Sequence, residues 1–210
     1  IRLSGERLLL LLNDLLDLSK FEAGRMILNF EPTDMDTLVR EVVREFDALL
    51  AARHLSVKVQ RDGVEPALFD GDAARVSQVI RNLLSNAAKF TPAGRAIHVH
   101  IRHDSLPEGR RASDLRRLPA VAVAVSDEGV GIPPEELDAV FEKFVQSSRT
   151  RTGAGGTGLG LAICREIVEA HRGAISVCNN AAGGAEFTVI LPVSRAAPRS
   201  APSDKEREES

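Results

Sequence analysis

Apolar and polar positions along this chain follow two rhythms, a helical one at the start and a mixed helical and two-residue one after it. Residues 1–23 carry the longest helical pattern. Ile1, Leu8 and Leu15 recur every seven residues, and Leu11 and Leu18 fill the offset positions, which together make a coiled-coil-like seam. Leu9, Leu10, Leu12 and Leu16 widen that seam over most of the circumference. Such a helix needs more than one apolar neighbour. A helical bundle is the predicted setting, with packing on its own domain as the alternative. Gly24 supplies a stop signal.

Beyond it, residues 26–31 read as extended, and Asp34 or Asp36 can cap a helix reaching about Arg53. Leu55 to Gln60 alternates like a strand. Asp72 caps the next helix, over about 73–90, which stops before Thr91-Pro92. Strands are predicted at 96–102 and 120–126, the second rich in Val and Ala, with the Arg-rich segment 104–118 between them as a solvated loop. Pro134 to Phe141 reads as a short helix with Pro at its start. A Gly-rich stretch leads into a helix over about 158–170, and strands at 173–178 and 185–191 close the folded part. From Ser194 to Ser210 the chain is Pro, Ser and charge, a composition that predicts disorder. The pattern therefore divides into a helix at 1–23, an α/β domain at 24–193 and a tail at 194–210.

Composition narrows the function classes. The 210 residues suffice for one good-sized domain plus an appendage, and 43% hydrophobic content allows a real core. Aromatic residues make up 4%, without Trp or Tyr, so that core is aliphatic. A formal charge of −3 gives no electrostatic case for nucleic acid or an anionic membrane as partner. The longest apolar run, Leu8 to Leu12, is too short to span a bilayer. Ile1 is not a start methionine and no signal peptide is legible, so a cytoplasmic piece of a longer protein is expected, whose remainder can still carry a membrane anchor. Cys164 and Cys178, widely separated in patterned segments, read as buried reduced thiols rather than a disulfide or metal site.

Four segments carry chemistry. In NLLSNAAKF, Asn82 to Phe90, Asn82 and Asn86 lie one helical turn apart on one face, with Lys89 on the side of Asn86. Asn is a poor interior helix residue, so two stacked amides opposite an apolar face suit either an oxygen-ligated Mg²⁺ held with phosphates or plain solvent exposure. In DEGVGI, Asp127 to Ile132, a carboxylate stands where an apolar strand ends. It suits an exocyclic amine, with Gly129 and Gly131 permitting a tight turn and close approach, although a simple turn would read the same way. In GAGGTGLGLA, five glycines, Gly153, Gly155, Gly156, Gly158 and Gly160, precede or open a helix. Backbone amides there form an anion-binding concavity, and the preceding stretch has the mobility of a lid. The spacing is neither that of a P-loop nor that of a dinucleotide fingerprint. Between these lies FEKF, Phe141 to Phe144, whose two Phe suit a hydrophobic latch for the mobile stretch or ordinary core filling.

In this order the segments resemble those of the sensor histidine kinases of two-component systems. NLLSNAAKF is similar to their N box, DEGVGI to the first glycine box, FEKF to the F box and GTGLGL to the second glycine box. LLNDLLDLSKFEAGRM resembles the end of the second helix of their dimerisation and phosphoacceptor hairpin, so the resemblance covers residues 1 to about 193. It implies an α+β fold, the Bergerat-type two-layer α/β sandwich of the GHKL group, with a mixed sheet, helices on one face, and a bundle helix ahead of it. It implies ATP and Mg²⁺ as cofactors, with Asn86 on the metal, Asn82 supporting the metal or its water, and Lys89 on phosphate. Asp127 would accept the adenine amine, Gly129 and Gly131 would let the base approach, and Ile132 and Leu161 would line its pocket. Gly156, Gly158 and Gly160, within the Thr157–Leu159 neighbourhood of the second glycine box, would hold phosphates. Arg149 or Arg151 would add positive charge from the lid, and Phe144 would close on it. The implied partners are the hairpin, a response regulator receiver domain and, in the full-length protein, a second copy.

Two departures stand out. Arg172, in HRGAI, occupies a position where many relatives have Gly, a change expected to be tolerated. The acceptor histidine of the family lies upstream of residue 1. His54, His98, His100, His103 and His171 all lack its sequence context, so this chain is expected to be unable to phosphorylate itself. The nucleotide fold so implied also resembles that of gyrase-type ATPases, Hsp90 chaperones, mismatch-repair ATPases and anti-sigma-factor kinases, and a degenerate binding module would keep it too. Hydrolytic members place Glu four residues before the metal-binding Asn. Here that position is Asn82, which cannot take up a proton at neutral pH.

Overall fold

The computed structural model describes residue 12 and residues 15–21, 23, 25–63, 65–107, 117–149 and 157–193. The N-terminal helix, α1, is described at residue 12 and residues 15–21. Leu18 is buried and Phe21 packs against the same core, while Leu12, Leu15 and Leu16 are about half exposed. Asp17 adds a polar tie, accepting from Arg75 Nη1 at 2.9 Å and Gln78 Nε2 at 3.3 Å. One edge of the helix thus packs on the domain, and its wide apolar side has no cover among the described residues. The rest of 1–23, with Gly24, and the tail 194–210 lie outside the described residues.

Helix α2 (Met35–Glu45) starts at Asp34, whose carboxylate accepts from Thr37 N at 3.4 Å and Thr37 Oγ1 at 2.8 Å. Asp36, the other candidate cap, pairs instead with Arg40 one turn on, at 2.9 Å. The single helix predicted to Arg53 is broken at Phe46, whose side chain packs against the core, and resumes as α3 (Asp47–Ala52). Two short strands, β1 (Glu31–Asp34) and β3 (Leu68–Gly71), pair antiparallel; β3 has too few residues to show a period.

The main sheet contains β2 (Ser56–Arg61), β4 (Ala96–Pro107), β5 (Arg117–Ser126), β6 (Ala174–Asn179) and β7 (Ala185–Pro192), in the order β2-β4-β5-β7-β6. Only β2 and β4 run parallel, and a parallel pair needs a crossover. Helix α4 (Ala73–Phe90) is that crossover, capped by Asp72 accepting from Arg75 N. The predicted solvated loop 104–118 is in part strand. Pairing continues to Pro107 opposite Arg117, because Leu106 is buried across from Leu118.

Ile97, Val99 and Ile101 of β4, Val121, Val123 and Val125 of β5, and Phe187, Val189 and Leu191 of β7 share one cluster with helix residues. The helix side contributes Leu38, Val79, Ile80, Leu83, Leu84, Ile163 and Ile167, the last two from α5 (Gly160–Ala170). Alternate strand positions such as His98, His100 and Thr188 point the other way. The result is a two-layer α/β sandwich with a mixed sheet and its helices on one face. Cys164 is buried as expected; Cys178 lies exposed on the edge strand β6, against expectation, and both are free thiols.

His171, just past α5, is 2% exposed. Its Nε2 accepts from Asp72 N at 2.9 Å, which leaves Nδ1 to donate to Ile167 O at 2.7 Å. The neighbouring Arg172 has φ 58, a left-handed backbone that costs an L side chain about 1 kcal/mol. Arg172→Gly is therefore expected to raise the melting temperature by about 2–4 °C. An unchanged or lowered melting curve would show that the strain is relieved elsewhere.

Candidate nucleotide site

A cleft of about 440 Å³ opens between α4, the segment after β5 and the start of α5. The α4 wall follows from helical periodicity. Leu83, Leu84, Ala87 and Ala88 face the core, which turns Asn82, Asn86 and Lys89 toward the cleft. Asn82 Nδ2 donates to Gly160 O at 3.4 Å. The Asn86 amide has no hydrogen bond among the described residues, so both its donor and acceptor are available. Desolvation pushes the Lys89 ammonium below the usual lysine range, helped by the nearby Arg53 guanidinium. Arg53 Nη1 donates to Ala88 O at 2.9 Å.

At the far end Asp127 is 6% exposed. Its Oδ1 accepts from Gly129 N at 2.8 Å and Ala185 N at 3.3 Å, and Oδ2 has no hydrogen bond among the described residues. One oxygen therefore holds the loop and the other is left for the cleft. Burial pushes this carboxyl above the usual carboxylate range, and the two backbone N–H groups pull it part of the way back. Ile132, Val140, Leu161 and Phe187 supply apolar lining nearby.

The tight turn read in the sequence is present at Gly131, and neighbouring protein adds a second reason for both glycines. A Cβ on Gly129 would stand 2.8 Å from Phe90 O, and one on Gly131, at φ +67, would stand 2.5 Å from Gly183 O. Protein atoms thus occupy the space a side chain would need at either glycine. Phe90 at the end of α4 fills the first space, and the second is filled from the end of β6 and the β6–β7 turn, which the sequence reading missed. Asn180 Nδ2 donates to Asp127 O at 2.7 Å and Ser126 Oγ at 2.8 Å, while its Oδ1 accepts from Ala182 N at 3.0 Å and Gly184 N at 3.1 Å. Asn179 bonds Ile132. Asn-Asn followed by Gly-Gly between strands signals a turn, but nothing local signals that its side chains reach back about fifty residues.

Of the other predicted site residues, Thr157, Gly158, Gly160 and Leu161 line the cleft with Gly131 and Ile132. The first-turn amides of α5 lack intrahelical acceptors and open on the same side. Leu159 is fully buried and belongs to the core, its N–H donating to Thr157 Oγ1 at 3.1 Å. The FEKF pair is split. Phe141 packs edge-on to Phe187, centroids 6.1 Å apart, with the Arg165 guanidinium 4.6 Å from its ring. Phe144, 63% exposed, does not reach the cleft, and contributes its backbone instead, donating to Gly158 O at 2.9 Å. Arg149 Nη1 donates to Val130 O at 2.9 Å, which ties it to the rim by the DEGVGI loop rather than among the amides of α5. Arg151, Gly153, Gly155 and Gly156 lie outside the described residues.

An apolar slot with one free carboxylate oxygen at its end, and a row of amides, a cation and helix N–H groups along its length, suits a flat base bearing an amine and an anionic tail. Residues 71–195 match the family model for histidine kinase-, DNA gyrase B- and HSP90-like ATPases. The chain belongs to this family.

Within the family its likeness is to sensor kinases. It is 37% identical over 188 residues to hybrid signal transduction histidine kinase D of Dictyostelium discoideum, matching 89% of this chain and 12% of that protein. It is 35% identical to the alginate biosynthesis sensor protein KinB of Pseudomonas aeruginosa, over 89% of this chain and 29% of KinB. Among solved structures, full-length ShkA in complex with AMPPNP superposes with a TM-score of 0.74 at 30% identity, over 93% of this chain and 38% of ShkA. The catalytic domain of histidine kinase ThkA gives a TM-score of 0.64 at 28% identity, over 78% of this chain and 95% of that domain. The chain thus spans a small part of the curated relatives it matches and corresponds to their ATP-binding catalytic domain. No helix among the described residues is long and apolar enough to cross a membrane.

Proposed function

We propose that this domain binds MgATP in the cleft and transfers its γ-phosphoryl group to a histidine on a helical hairpin, for relay to a response regulator receiver domain. The observation that carries this reading is the pairing of two unsatisfied groups across one cleft, Asp127 Oδ2 at the apolar end and the Asn86 amide on α4. Asp127 is the acceptor for the adenine amine, with Ile132 and Leu161 against the ring. Asn86 supplies an amide oxygen to Mg²⁺, and Asn82 orients that amide or a water beside it. Among the described residues no group of three His, Cys, Asp or Glu gathers to hold a metal, so neutral amide oxygens and the phosphates are the donors this cleft offers. Lys89 and the first-turn amides of α5 receive the phosphates, with Arg149 at the rim and Arg151 and Gly156 assigned to the lid on sequence alone.

Bound MgATP supplies the transferable phosphoryl group; the protein positions it and neutralises charge. Asn82 stands where a hydrolase would need a base and cannot act as one, which supports transfer over hydrolysis. The chain's own histidines are poor acceptors. His171 is buried with both ring nitrogens in hydrogen bonds, and His98, His100 and His103 lie on β4, away from the cleft lining. His54 follows α3. Autophosphorylation of this chain is therefore not expected, and the parent is read as a homodimer that brings hairpin and domain together, with no role for nucleic acid. Incubation with γ-labelled MgATP, with and without a separately supplied hairpin bearing the acceptor histidine, tests this. Label on the hairpin alone is expected. Free phosphate without transfer would establish an ATPase, and binding with neither would establish a degenerate module.

A further inference from the structure

The last residue of β6, Asn179, carries a side chain whose partners lie in the nucleotide cleft wall. Asn179 Oδ1 accepts from Ile132 N at 2.8 Å, and Asn179 Nδ2 donates to Ile132 O at 2.6 Å. A side-chain amide has the donor and acceptor layout of a peptide unit, so this pairing reproduces one rung of a ladder where no strand is present. It satisfies both backbone polar groups of Ile132. Pro133 and Pro134, which follow, have no N–H with which to anchor the loop themselves. The same Oδ1 would stand 2.8 Å from a Cβ on Gly131, so the amide also fills the space behind that glycine.

The wall this amide fixes has a defined counterpart. Asp127 is held independently, through its Oδ1 and through Asn180 on its carbonyl. The Asp127 backbone and the Ile132 wall are thus anchored by adjacent residues where β6 ends, Asn180 and Asn179, so the separation between carboxylate and wall depends on that junction. Resting on the reading that Asp127 and Ile132 face an adenine ring, we propose that Asn179 is a positioning residue that sets the spacing between the Ile132 wall and the Asp127 carboxylate, and with it the preference for a base carrying an exocyclic amine. A hydrogen bond from such an amine depends steeply on distance and angle. If Ile132 loosens, the ring shifts and that bond weakens. A base with a carbonyl at the same place makes no such bond and loses nothing.

The test compares ADP with IDP, which differ at that group, by titration calorimetry on wild type, Asn179→Ala and Asn179→Asp. Aspartate keeps the acceptor for Ile132 N but turns a second oxygen toward Ile132 O. Asn179 is itself exposed, so water can satisfy the freed groups, and the ligand-free melting temperature is expected to stay within about 2 °C of wild type. Wild type should prefer ADP. Both variants should lose about tenfold in ADP affinity, with IDP affinity changed less than about twofold. Equal losses for the two nucleotides, or none for ADP, with wild-type preference intact, would overturn this inference alone. A wild-type protein that binds ADP and IDP equally would overturn the adenine reading and this inference with it.

Discussion

Asp127→Asn is expected to leave the ligand-free domain at least as stable as wild type while weakening adenine nucleotides by about a hundredfold or more, on the order of 3 kcal/mol. The split follows from the division of labour within one carboxylate. The amide oxygen of Asn can take over both backbone N–H groups now held by Oδ1, from Gly129 and Ala185. The loop therefore keeps its anchor. The other position changes from acceptor to donor, and a donor facing the adenine amine leaves two N–H groups opposed in a site with little water.

The same substitution removes a buried ionisation, and the sign of its pH dependence can be worked out. Burial raises the folded-state pKa above the unfolded value of about 3.9. This group's favourable contribution is complete below the unfolded value and is lost as pH rises through the folded one. The stability advantage of Asp127→Asn over wild type should accordingly grow from acid toward neutral pH. Thermal melts across that range and nucleotide titration at neutral pH check both halves. Parallel losses of affinity and melting temperature would show that Asp127 serves mainly the fold.

Asn86→Ala should also move stability and binding in opposite directions. The Asn86 amide has no protein partner among the described residues, so its removal breaks no intramolecular bond, and Ala is the better helix former by about 0.5 kcal/mol. The ligand-free melting temperature should rise by about 1–2 °C. The gain in ATP affinity that Mg²⁺ gives the wild type should disappear, leaving the metal-free affinity. A magnesium-dependent gain equal to that of wild type would remove Asn86 from the metal. Titrations with magnesium and with a chelator in its place make the comparison.

Local chemistry made much of this legible. Asp72 as a cap, Asn82 and Asn86 on one face of α4, and Asp127 at the end of a Val- and Ala-rich strand are each fixed by a period or a neighbour within a few residues. Contacts that sequence distance hides were not legible. The reason Gly131 must be Gly lies at Asn179 and Gly183, and the β4–β5 pairing beyond His103 depends on Leu106 meeting Leu118 across a charged segment. The break at Phe46 is a case where the core outweighed continuous helix propensity. FEKF shows the limit of composition. Two identical side chains three apart lie in opposite environments because the backbone turns at Phe144, where φ is 64.

The crossover helix α4 has consequences for how such a domain can diversify. One side of it, with Val79, Leu83 and Leu84, belongs to the core shared with the sheet, and the other holds Asn82 and Asn86. If Asn82 and Asn86 act as proposed, substitutions on the polar side would alter the chemistry of the cleft while the apolar side keeps the parallel β2–β4 connection. On that proposal the chemistry sits on the cleft side of a helix whose other side is already committed to the core, and the two sides are free to change at different rates.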